Sequence, residues 1–193
     1  MNVSHNFTGL SEGNNTLTVR AVANAGNVNE TSVIVARDST VPILSITAPA
    51  IGSVTGIDSV TAAWSAIDLT GVEGYQYRLD GGEWSVLNAT PGATFTGLAA
   101  GAHTIDVRAV DNAGNVAAAT VTFTVDLTVP LLSITSPTNG TWVSSLLVTW
   151  QGSDDLSSVS GYEVSLDGGV WTEVLSATHY LFEDAADGLH TIQ

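Results

Sequence analysis

The chain has 193 residues, 44% of them hydrophobic and only 12% charged, and it contains no cysteine, which excludes disulfide staples and thiolate metal sites. Nineteen acidic residues against four arginines give a net charge of −15, a surface that repels phosphate backbones and anionic lipid heads and argues against nucleic acid and membranes as partners. No apolar run approaches the roughly 18 residues needed to cross a bilayer, and the opening MNVSHNFTGL lacks the basic region and apolar run of a signal peptide.

Taken in chain order, the first patterned stretch is GNNTLTVRAV from Gly13, which returns as GAHTIDVRAV from Gly101, 88 positions later. Asp38 opens DSTVPILSITAP, and Asp126 opens DLTVPLLSITSP at the same interval. Trp64 returns as Trp150, LDGGEW (79–84) as LDGGVW (166–171), and GAHTI (101–105) as GLHTI (188–192). Self-similarity at a fixed period marks a repeat architecture, here with a unit of about 88 residues. The expected division is 1–37 as the C-terminal part of an incomplete repeat, 38–126 as one complete repeat, and 127–193 as the N-terminal part of a further, truncated one. Units cut at both ends are expected of a fragment of a longer repeat protein. The rival expectation is head-to-tail association, in which the N-terminal piece of one chain completes the C-terminal piece of the next.

Within the complete unit the period is two. Val60, Ala62 and Trp64 share a face, as do Tyr75, Tyr77 and Leu79, then Ile105, Val107 and Ala109, then Val121, Phe123 and Val125. This alternation predicts half-buried antiparallel strands at roughly 43–48, 59–65, 74–79, 83–88, 93–97, 102–111 and 116–125. Turn signals at Pro49, Asp80-Gly-Gly, Pro91-Gly92, Gly101 and Asn112-Ala-Gly-Asn separate them. No segment shows helical spacing with caps. The expected class is all-β, in tandem seven-stranded sandwiches.

A tryptophan ending an alternating strand (VTAAW, LLVTW), a tyrosine-led strand after it (YQYRL, YEVSL) and a later VRAVDNAGN corner carry a resemblance. The chain resembles the immunoglobulin-like and fibronectin type III-like repeats of bacterial and archaeal extracellular proteins. That resemblance implies a non-catalytic structural or adhesive segment, a stalk or spacer at the cell surface. Neighbouring repeats and surface glycans or proteins would be its partners. Its alternative implication is an accessory module, with carbohydrate binding, of a secreted polysaccharide-degrading enzyme. Where the animal fibronectin pattern has a tyrosine, this chain has His103, His190 and Asn15.

The candidate chemistry is sparse, and no catalytic, cofactor-binding or metal residue is assigned. His103 and His190 recur with Asn15 at one position, which favours a hydrogen-bonded corner over a ligand or general base. His5 and His179 lack histidine counterparts and read as surface residues. Trp64 and Trp150 lie on apolar strand faces and are expected in the core. Trp84 and Trp171 follow Asp-Gly-Gly turns and are expected to pack over the hairpin rather than form a sugar platform; Trp142 has no tryptophan counterpart. Calcium at the repeat junctions would draw on the recurring Asp38 and Asp126 with Asp68 and Asp154 (beside Asp155). The simpler expectation is that these aspartates satisfy backbone N–H groups in turns. VRAVDNAGNV (107–116) and VRAVANAGNV (19–28) differ only in Asp111 against Ala23, so the phrase reads as a turn whose shape matters. Sequons at Asn2, Asn6, Asn14, Asn29, Asn88 and Asn139 fit an extracellular, glycosylated chain. The Val41-Pro42 and Val129-Pro130 steps hold the chain extended at each junction and predict a semi-rigid array.

Overall fold

The computed structural model describes residues 5–193, so the sequon at Asn2 lies outside the described residues. Every regular element described is a strand. Two compact units form: one holds the chain up to Ser53 with Ser59–Thr96 and His103–Phe123, the other Val54–Asp58, Gly97–Ala102 and Thr124–Gln193.

The first unit opens with β1 (Gly13–Val22) and β2 (Val28–Arg37), an antiparallel hairpin whose register runs unbroken from Gly13↔Arg37 to Val22↔Val28. Its turn closes through Ala23 N–H to Asn27 O (2.8 Å) and Gly26 N–H to Ala23 O (2.8 Å). Gly26 sits at φ 87°, where a Cβ would be strained. Along the chain follow β3 (Ile43–Ala48), β4 (Ser53–Thr55), β5 (Ser59–Ile67), β6 (Val72–Leu79), β7 (Gly92–Thr96), β8 (Gly101–Asp111) and β9 (Val116–Val125), of which Val54 and Thr55, Gly101 and Ala102, and Thr124 and Val125 belong to the second unit. They form a three-stranded sheet ordered β3-β5-β7 and a four-stranded sheet ordered β4-β9-β8-β6. The chain changes sheet at every step from β3 to β8, and only β8 and β9 are consecutive within a sheet. This is the two-sheet strand arrangement of the immunoglobulin type.

Period-two patterning builds the core. Along β8 burial alternates without a break, leaving Ile105, Val107 and Ala109 fully enclosed. Val121 and Phe123 of β9 and Ala62 and Trp64 of β5 join them. Enclosing each of the larger aliphatic and aromatic side chains contributes on the order of 1.5–3 kcal/mol. Trp64 packs on Tyr75 and Tyr77, with ring centroids 6.1 and 5.4 Å away, and Tyr77 meets Phe95 edge-on. The Tyr75 hydroxyl accepts the Ala66 N–H at 3.1 Å.

One expected strand is corrected. Residues 83–88 are not a regular strand, although they run beside β6. Ser85 N–H donates to Tyr77 O, but the Ser85 hydroxyl takes the Tyr77 N–H that a ladder would give to a backbone carbonyl. A short polar side chain competes with the sheet and breaks the pairing. Only the bridge Tyr75↔Asn88 remains. Conversely, β4 was not anticipated, because three residues carry too little periodicity to be seen.

The second unit contains β10 (Leu131–Ser136), β11 (Leu146–Ser153), β12 (Tyr162–Val164), β13 (Thr172–Leu175) and β14 (His179–Phe182). Its sheets are β10-β11-β14 and β12-β13. The pairing of β10 with β11 repeats that of β3 with β5 down to its irregularity. Ile46 faces Trp64 and the register then shifts before Ala48; Ile134 faces Trp150 and the register shifts before Ser136. Val148, Trp150 and Val164 form its core, packed by Leu146, Tyr162, Val174, Tyr180, Phe182 and Ile192.

Candidate functional site

The recurring histidines sit in identical clasps. Asp80 and Asp167 occupy left-handed backbone at φ 49° and 52°, placed there by the Asp-Gly-Gly turns. In the first unit Asp80 Oδ1 accepts the Thr104 N–H at 2.8 Å, and Oδ2 lies 2.7 Å from His103 Nδ1. In the second, Asp167 Oδ1 accepts the Thr191 N–H at 2.7 Å, and Oδ2 lies 2.7 Å from His190 Nδ1. His190 Nε2 faces the Ala186 carbonyl at 2.6 Å. Both nitrogens of His190 therefore face acceptors, a geometry that suits the doubly protonated ring. The Ala186 carbonyl and then the Asp167 carboxylate raise its pKa above the usual histidine value. The Thr191 N–H and then His190 hold Asp167 below the usual carboxylate value. Asn15 fills the same position in β1, donating to Ser11 O (2.8 Å) and Gly13 O (2.9 Å). A ring with both nitrogens engaged by acceptors has no lone pair left for a substrate proton.

The recurring aspartates meet in two clusters. Oxygens of Asp38, Asp68 and Asp111 lie within 4.8 Å of one another, as do those of Asp126, Asp154 and Asp155. Five of the six carboxylates also close turns; Asp155 is the exception. Asp38 Oδ1 accepts from Thr40 N–H and hydroxyl, and Asp68 Oδ1 from Thr70 N–H. The Thr70 hydroxyl lies 2.7 Å from Asp38 Oδ2 and 2.9 Å from Asp68 Oδ1, linking the two loops. Thr128 repeats the bridge between Asp126 (2.7 Å) and Asp155 (2.5 Å). Asp154 Oδ1 accepts the N–H groups of Leu156 and Ser157. Thr70 and then Thr40 hold Asp38 below the ordinary carboxylate range; the hydroxyls of Ser157 and Thr128 bring Asp126 down to about 2. These are hard oxygens of the kind calcium takes, and they are at the same time the turn fasteners.

Asp111 is the member that sequence reasoning missed. It is fully buried, and its carboxylate accepts from Ala113 N–H, Asn115 N–H and Asn115 Nδ2–H. Asn112 donates to Thr70 O at 2.6 Å, tying the corner to the Asp68 loop. Ala23 makes the same backbone turn without a carboxylate, so the shape survives the change. Ala23 says nothing about the cluster, however, since no residue stands 88 positions before Asp38 or Asp68.

The tryptophans divide as expected in part. Trp64 and Trp150 are buried at 3% and 6% exposure. Trp84 is half-buried, with the Arg78 and Arg108 guanidinium carbons 4.6 and 4.0 Å from its ring centroids. Trp171 is 52% exposed and Trp142 93% exposed. His5 and His179 are exposed, as are the sequon asparagines Asn6, Asn14, Asn29 and Asn139. Asn88 is half-buried, and its side chain is held by Val86 O and Thr90 N–H.

No family model matches the sequence. Chitinase A1 of Niallia circulans is 36% identical over 168 residues, covering 79% of this chain and 24% of that protein. The chain thus spans about a quarter of the length of this curated relative. Among solved structures, the fibronectin(III)-like modules of Clostridium thermocellum CbhA are similar over 78% of this chain and 83% of theirs, at 21% identity and a TM-score of 0.48. The D00-D0 domain of Intimin is similar over 78% of this chain and 84% of its own, at 16% identity and a TM-score of 0.37. By its own strand order and sheet pairing, the chain has the immunoglobulin-like, fibronectin type III-like β-sandwich fold.

Proposed function

We propose that the chain is a non-catalytic extracellular segment of tandem sandwich repeats, a stalk or spacer that holds a neighbouring domain away from a cell surface. One observation carries this reading. The aspartate–histidine pairs, the best catalytic candidates by residue type, are the same clasp built twice and engaged in holding a corner. Chemistry committed identically in successive units to the unit's own architecture belongs to a building block. The acidic composition and the exposed sequons support an extracellular setting. Mechanical unfolding of the chain by force spectroscopy tests it. The complete unit of about 88 residues should rupture in one event and release about 300 Å of contour. Smooth extension without a discrete rupture would overturn the spacer reading.

A second reading has specific support: an accessory module of a polysaccharide-degrading enzyme that contacts glycans. The match to part of a chitinase and the exposed rings of Trp171 and Trp142 favour it. A shift of the Trp171 indole N–H signal on adding a neutral oligosaccharide tests it, and no shift at Trp171 or Trp84 with any sugar would overturn it.

A further inference from the structure

We infer that Trp84, Arg78 and Arg108 form a binding site for a carboxylate carried on a sugar ring, that is, for a uronic acid residue of a glycan. The inference deepens the glycan-contacting reading and rests on it for the choice of a sugar; the spacer reading does not depend on it.

The charges of the chain are far out of balance. With 19 carboxylates for four arginines, every guanidinium could be paired several times over. Arg20 pairs with Glu30, Arg37 with Glu12, and Arg78 with Asp106 at 2.8 Å. Arg108 makes no ion pair and no hydrogen bond among the described residues; its guanidinium lies 4.0 Å from the Trp84 ring centroid, and Asp106, already held by Arg78, acts on it only at a distance. The repeat explains how this arose. Arg20 is the counterpart of Arg108, and Glu30 stands directly across the hairpin from it. Eighty-eight positions after Glu30 stands Ala118, so the complete unit keeps the arginine and lacks its carboxylate.

What replaces the ion pair is an aromatic seat. A guanidinium over an indole is held by the ring quadrupole, and its edge N–H donors stay available. Arg78 lies over the same indole at 4.6 Å, fixed by Asp106, which in turn accepts the Thr120 hydroxyl at 2.7 Å. The Arg108 fork matches a carboxylate, which it can take in two parallel hydrogen bonds. Beside it the uncovered part of Trp84 offers apolar area to the C–H face of a ring. Global charge narrows the ligand further. A chain at −15 repels a polyanion, so isolated carboxylates spaced by neutral sugars fit better than a polyuronate or an acidic peptide. Trp171 is the internal comparison: Ser165 stands where the complete unit has Arg78, and Trp171 should show no preference for carboxylates.

The test uses the 193-residue chain and three probes: a tetrasaccharide alternating glucuronic acid with a neutral amino sugar, its carboxyl-reduced form, and a peptide alternating glutamate with glycine. Calorimetry gives Kd, and the indole N–H signals of Trp84 and Trp171 locate the contact. The uronate glycan should bind at Trp84 about tenfold or more tightly than its reduced form. Arg108→Gln should remove that preference. Ala118→Glu should remove it too, because the introduced carboxylate claims Arg108 as Glu30 claims Arg20. Unchanged melting of both variants guards against misfolding. Equal binding of the reduced glycan, an undiminished preference in Ala118→Glu, or peptide binding as tight as the sugar's would each overturn the inference. A neutral glycan shifting only Trp171 would overturn it while leaving the glycan-contacting reading standing, and silence from every sugar at both indoles would end both.

Discussion

At the scale of single residues, the clasp shows how one position accepts different side chains. Asn15 caps its corner as a neutral amide, whereas His190 reaches two acceptors at once and so favours its charged form. Two titrations bound its contribution. His190 has a raised pKa in the folded chain, so its stabilising effect is complete below about 6.5 and is lost as pH rises through the folded value. Asp167 has a lowered pKa, so its share is present above about 3.9 and is lost as pH falls. The clasp should therefore be strongest between these limits. Proton NMR should find His190 titrating above 6.5, and Asp167→Asn should move it back toward that value. Titration at or below 6.5 in the unsubstituted chain would refute the charged clasp. The histidine corner was legible because three copies present a polar residue there. Its partner was not, because Asp80 and Asp167 look like ordinary turn residues. The signal that could have found them is the constant 23-residue step from aspartate to histidine in both copies. The meeting of Asp111 with two other carboxylates is hidden from the sequence for a related reason: a carboxylate that shapes its own turn leaves no mark of the two others it meets.

At the scale of elements, the strand after the Asp-Gly-Gly turn separates pattern from pairing. The same position is irregular at Ser85 and regular at Thr172, where Val164 pairs with Thr172. Threonine is β-branched and suits the pleat, while Ser85 turns its hydroxyl onto Tyr77 N–H. Hydrophobic alternation is incomplete in both stretches, EWSVLN (83–88) and VWTEVL (170–175), so periodicity alone does not separate them. The different backbone paths leave different room beside β6 and β12. A Cβ on Gly74 would lie 2.8 Å from Asn88 O, whereas on Gly161, its counterpart, the nearest atom is Leu175 O at 3.5 Å. Gly74→Ala must push backbone aside and should cost about 1–3 kcal/mol, as overpacking does. Gly161→Ala meets ordinary contact distances and should stay within about 0.5 kcal/mol of the parent. Urea unfolding of both variants decides it, and equal midpoints would show that the irregular edge gives way freely.

At the scale of the whole molecule, the sandwich was readable because two-residue alternation and an 88-residue period agree on the same strands, and local and global preferences seldom coincide by chance. The charge layout was hidden, because it depends on which segments gather into each unit. The second unit carries ten of the nineteen carboxylates and no arginine, while the first holds the other nine with all four arginines. Three of those arginines form ion pairs with carboxylates of their own unit. Self-repulsion therefore falls unevenly, and nothing of opposite fixed charge relieves it in the second unit while its histidines are neutral. Screening should correct this in proportion. Between 0.01 and 0.1 M sodium chloride the Debye length falls from about 30 to about 10 Å, reaching the spacing of charges across one small unit. The melting temperature of the second unit, followed through the Trp150 indole N–H, should rise over that interval by more than that of the first, followed through Trp64. If the first unit gained as much or more, uneven self-repulsion would not be what sets the relative stability of the two.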